Sequence, residues 1–93
     1  MLNFEGAELT KSHQRELTRY IEQGTSPSGF VYYTLANDLA MAVLYASELD
    51  LQALPSFVEW LRYHAPESCY GTEAKVLRWM ETHLAQQKGA RNS

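Results

Sequence analysis

The sequence predicts an all-α domain, a compact bundle of about four helices. Apolar residues recur at three- and four-residue spacing in four segments. Punctuation by Gly or Pro separates those segments at 24–29, 50–55 and 66–72. No stretch of useful length alternates with period two, as a half-buried strand would.

The first helix is expected from about Leu9 to Gln23. Leu9, His13, Leu17, Tyr20 and Ile21 share one face, Thr10 or Ser12 can cap it, and Gly24 suits a left-handed stop. The second is expected from about Phe30 to Ser47, with Tyr32, Leu35, Leu39, Ala42, Val43 and Ala46 along one side. Its flanks are apolar too, which predicts the most buried helix of the four. The third begins near Asp50 as N-cap, carries Pro55 in its first turn and Leu54, Phe57, Val58 and Leu61 on its inner face, and ends at Pro66. The fourth runs from Glu73, after Thr72 as cap, to about Gln87, with Val76, Leu77, Met80 and Leu84 inward. Residues 1–88 make one domain, and a polar tail over 89–93 is expected to fray.

Ninety-three residues with 45% hydrophobic and 20% charged side chains fit one globular core and exclude bulk disorder. Eight Lys and Arg against eleven Asp and Glu give −3, which argues against a general nucleic-acid coat. Cys69 is the single cysteine, so no internal disulfide forms, and a reducing, cytoplasmic setting is expected. No apolar run approaches the ~20 residues a membrane span needs, so no membrane association is expected. The first six residues lack a basic segment followed by an apolar one, and no signal peptide is expected there. A core this small gains from self-association, so a homo-oligomer is expected.

Lys11, Arg15 and Arg19 share one face of the first helix and can collect phosphate, or form a solvated surface paired with Glu8 and Glu22. Asn37 and Asp38 stand out inside the apolar second helix, because burying an Asp without partners is costly. They serve either as the polar floor of a ligand site or as a buried anchor for amides from the 24–29 or 68–71 turn. The glycine-bearing turn before that helix offers amides to an anion, yet lacks the spacing of a phosphate-binding loop. Cys69 with His64 lacks an orienting group and an oxyanion site, so no enzyme is expected. His13, His64, His83 and Cys69 lack zinc-site spacing, and neither metal nor cofactor is expected. Six tyrosines and two tryptophans exceed what a small core covers, so some either meet a partner or widen the core. A DNA-binding reading needs Lys11, Arg15, Arg19, Arg62, Lys75 and Arg78 on one face.

Pro27-Ser28-Gly29-Phe30, Leu35, Asn37-Asp38-Leu39 and Ala42 form a pattern with Phe57-Val58-Glu59-Trp60-Leu61, Ala65-Pro66 and Cys69-Tyr70-Gly71, continuing to Val76 and Trp79. Over roughly residues 20–80 this pattern resembles small uncharacterised helical proteins of bacteriophages and prophages. This chain has Tyr70 where that group often has tryptophan. The first twenty residues lie outside the pattern, so nothing is carried onto Lys11, Arg15 or Arg19. The resemblance implies a non-enzymatic accessory protein that antagonises host defence by binding a nucleotide-type signal or a defence protein; the alternative is a small DNA-binding or transcription-modulating protein. For a nucleotide, Tyr33 or Tyr70 is expected to stack on the base. The amides of Ser28, Gly29 and Phe30, with Arg15 or Arg19, are expected to hold phosphate, and Asn37 and Asp38 to read polar edges or brace the loop.

Overall fold

A computed structural model describes residues 2–86 in full and 87–92 as helical backbone. Among the described residues there are five α-helices: α1 Lys11–Gln23, α2 Gly29–Leu35, α3 Leu39–Tyr45, α4 Glu48–His64 and α5 Glu73–Asn92. One 3₁₀ turn, Glu67–Cys69, joins α4 to α5, and no strand is present among these residues. The all-α class agrees with the sequence, and the helix count is five rather than four. The tail expected over 89–93 lies outside the residues described in full.

α1 follows its pattern. Thr10 Oγ1 accepts from the His13 amide, and Gly24, at φ 71°, closes the helix in the left-handed region where a side chain is disfavoured. All five expected inner residues are buried. Gly24 also allows a close approach, since a Cβ there would lie 2.4 Å from the Cβ of His83 on α5.

The expected second helix is broken, and its two polar residues break it. Asn37 has φ 62°, a conformation Asn tolerates better than most residues. Its amide donates to the Thr34 carbonyl, and the Asp38 amide donates to the Tyr33 carbonyl. These two bonds form a Schellman stop, with Asn in the usual glycine place. Asp38 then restarts the chain as N-cap of α3, its carboxylate accepting from the Met41 amide at 3.2 Å. Both side chains are exposed, so they are not the buried anchor that the sequence offered as one reading. The break also turns α3 outward. Ala42 is its one buried residue, while Leu39 and Val43, expected inside, are exposed. The prediction of a single, most buried helix is therefore corrected.

α4 begins at Glu48, two residues before Asp50. Ser47 is the N-cap; its hydroxyl accepts from the Asp50 amide while the Asp50 carboxylate accepts from the Ser47 amide, a capping box. Pro55 is consequently the eighth residue of the helix and not in its first turn. An interior proline costs about 3 kcal/mol. Ala53, Phe57, Trp60 and Leu61 are buried on either side of it, and burying one large apolar side chain contributes roughly 1.5–3 kcal/mol, so packing outweighs the penalty. Val58, expected inside, is exposed, and Trp60 takes the inner place. The amino-terminal arm completes that burial: Phe4 stacks on Trp60 at 4.6 Å, and the Trp60 indole N–H donates to the Asn3 carbonyl at 2.8 Å. On α5, Val76 is buried, whereas Leu77 and Leu84, expected inward, are exposed.

Candidate ligand cavity at the α2–α3 break

A helix that stops abruptly leaves carbonyls in need of donors. The Leu35 carbonyl, at the end of α2, is answered by the Gly71 amide at 2.7 Å. That bond draws the turn before α5 against the break. The turn is fixed from below by Tyr20, fully buried, whose hydroxyl donates to the Cys69 carbonyl at 2.6 Å. Burial pushes the Tyr20 hydroxyl above its ordinary pKa, so it stays a donor.

Between these segments lies a cavity of about 210 Å³ lined by Thr34, Asn37, Val58, Leu61, Tyr70 and Gly71. Ligand pockets commonly measure about 300–1,000 Å³, so this one has room for a single planar ring rather than a large molecule. Its lining combines one phenol ring, one carboxamide and an apolar floor. Thr34 spends its hydroxyl hydrogen on the Phe30 carbonyl. Lys75 is not a lining residue but lies beside the turn: a Cβ on Gly71, at φ 114°, would lie 3.8 Å from its Nζ. The first turn of α5 opens there too, with Thr72 Oγ1 accepting from the Lys75 amide. Glu73 is turned to Tyr32, whose hydroxyl donates to Glu73 Oε2 at 2.8 Å. Burial, then that bond, pushes the Tyr32 hydroxyl up to about 12.

Of the residues singled out in the sequence, Asn37 and Tyr70 meet here and the others do not. Asp38 caps α3. Tyr33 stacks on Tyr45 at 5.4 Å. Phe30 is a core ring, 3% exposed. Gly29 lies close to Tyr45: a Cβ there would sit 3.1 Å from that ring. The Ser28 amide, expected to hold phosphate, donates instead to Glu16 Oε1 at 2.7 Å, so a carboxylate of the chain occupies that place. Arg15 and Arg19 stand exposed on α1 and are not among the residues lining the cavity. Lys75, which the sequence offered as one member of a basic face, is the cation nearest Gly71 among the side chains placed there. Its link to the cavity depends on the Gly71–Leu35 bond, a contact across 36 positions with no local signal.

A second polar cluster joins α1 to α4. His13 is 3% exposed, and its Nε2 lies 2.6 Å from Asp50 Oδ1. Burial raises the Asp50 pKa, but the Ser47 amide and then His13 lower it more, and the net shift is downward. An ionised Asp50 can only accept, which places the His13 proton on Nε2. Nδ1 is buried without a hydrogen-bond partner, and the ring packs edge-on against Phe57. This pair positions helices. Cys69 is fully buried, and burial pushes its thiol up to about 11, which keeps it protonated and un-nucleophilic at neutral pH; His64 lies exposed, stacked on Trp60. Among the described residues no cluster of three metal-ligating side chains forms, and no helix is long and apolar enough to cross a membrane.

No protein-family model, no curated protein and no solved structure matches this chain.

Proposed function

We propose that this chain is a non-enzymatic, phage-type accessory protein that antagonises host defence in the host cytosol by stoichiometric binding of a nucleotide-type signal. One observation carries the reading: Asn37, Tyr70 and Gly71 line one ring-sized cavity, with Lys75 Nζ beside Gly71. The base enters the cavity, where Tyr70 supplies a stacking face and the Asn37 carboxamide a donor and an acceptor for its polar edge. Phosphate stays outside, on the Lys75 ammonium and the opening turn of α5, a 20-residue helix whose amino end favours negative charge.

Titration calorimetry of the full chain against mono-, di- and triphosphates and cyclic dinucleotides tests it. One ligand of the panel is expected to bind, with affinity falling at least about tenfold in Tyr70→Ala and in Lys75→Gln. Asn37→Gly is the sharper variant, because glycine keeps the left-handed stop while deleting the carboxamide. Absence of heat with every nucleotide removes this reading. A salt-sensitive electrophoretic shift of DNA would replace it with the DNA-binding alternative.

A further inference from the structure

A cavity of about 390 Å³ opens between α1, the turn before α2 and the start of α4. Ser12, His13, Glu16, Ser28, Ser47 and Asp50 all contribute to its lining. The volume lies within the ordinary range of small-molecule sites, about 300–1,000 Å³. Its backbone and ring donors are spent inside the chain: the Ser28 amide on Glu16 Oε1, the Ser47 amide on Asp50 Oδ2 and His13 Nε2 on Asp50 Oδ1. Two acceptors are not. Glu16 Oε2 takes no hydrogen bond among the described residues. His13 Nδ1 carries a lone pair, since the ring proton sits on Nε2, and it is the buried side-chain polar atom left without a partner among those residues. Leaving a buried acceptor unmet is costly, so this site calls for a donor.

Charge selects the kind of donor. Glu16 and Asp50 bring two carboxylates, and no Lys or Arg is among the lining residues. At about 100° per residue, Lys11 and Arg15 fall about 160° round α1 from His13. α1 and α4 begin beside the cavity, and each amino end carries roughly half a positive charge, which together offset about one carboxylate of the two. About one negative charge remains. We propose that this cavity binds a small organic cation bearing a primary ammonium, whose N–H groups are shared between Glu16 Oε2 and His13 Nδ1. The two residues stand three apart on α1 and so face the same way. An ammonium brings three donors and a positive charge to this acceptor-rich lining. An anion would meet two carboxylates, and among the described residues no cluster of three metal-ligating side chains forms to hold a metal ion. The lining shares no residue with the Asn37–Tyr70 cavity, so this proposal and the nucleotide reading succeed or fail separately.

Titration of the full chain with putrescine, followed by NMR of the imidazole nitrogens, tests it. The His13 Nδ1 resonance is expected to move and saturate, while tetramethylammonium, a cation with no N–H, leaves it in place. In calorimetry, Glu16→Gln is expected to weaken putrescine binding at least about tenfold, because glutamine keeps an oxygen for the Ser28 amide but loses the charge. Should that variant lose helicity, the Nδ1 response of the unaltered chain still decides. Nα-acetyl-lysine amide, titrated beside putrescine, separates the sources: tighter binding of the diamine assigns a free amine, and tighter binding of the lysine derivative a side chain presented by a partner. No saturation by either amine, an equal response to tetramethylammonium, or unchanged affinity in Glu16→Gln would overturn the site.

Discussion

Asp50 shows how much one carboxylate can hold. One oxygen accepts from His13 of α1 and the other from the Ser47 amide, so the same group starts α4 and fastens α1 to it. Its folded pKa is lowered, which fixes the sign of its pH dependence. Above the ordinary carboxylate pKa of about 4 its stabilisation is fully present, and it is lost as pH falls through the lower folded value. Asp50→Asn is expected to cost about 1–2 kcal/mol at pH 7 in urea unfolding, and to flatten the acid limb of stability against pH. An unchanged acid limb would mean that other carboxylates govern it. Neither partner of this pair announces itself in the sequence. His13 completes an apolar stripe and Asp50 looks like a cap, and each is explained locally without the other.

Among elements, α3 is set by its cap. Asp38 is exposed and its carboxylate caps α3, so Asp38→Ala is expected to cost about 1 kcal/mol rather than the larger loss of a buried loop brace. The cost should be local: hydrogen exchange is expected to quicken at Met41 and Ala42 while amides of α1 and α4 keep their protection. Uniform quickening would place Asp38 in the global core instead. The binary pattern of residues 30–47 is largely apolar on both sides of Asn37 and Asp38 and reads as one helix. Local chemistry says otherwise, since Asn accepts the left-handed stop and Asp caps a new helix directly after it. Likewise Ser47-Glu48-Leu49-Asp50 carries a capping-box spacing, and searching for one cap residue stops too late at Asp50. α1 is fully legible because its face, cap and stop agree. The unusual character of Asn37 and the turn at Tyr70 are legible too. Their meeting is not, because it is made by backbone atoms far apart in sequence.

The whole molecule is tied by polar bonds between distant segments. Tyr20 reaches the Cys69 carbonyl, the Trp79 indole reaches the Tyr20 carbonyl, and the Trp60 indole reaches the Asn3 carbonyl. Tyr20→Phe keeps the ring and strands a buried carbonyl, with an expected global loss of about 1–2 kcal/mol. Cys69 reports that loss directly. Its thiol is fully buried, so alkylation is expected only through unfolding, and faster in Tyr20→Phe than in the parent chain. Equal rates would show that the Cys69 turn opens on its own.

The fastening of Phe4 and Asn3 to Trp60 sets an order of events during synthesis. Asn3 and Phe4 leave the ribosome well before their partner on α4 exists, and the Tyr20 hydroxyl likewise waits for its acceptor at Cys69. Until α4 and the turn after it have emerged, the apolar surfaces that these ties cover stay open to water on the nascent chain.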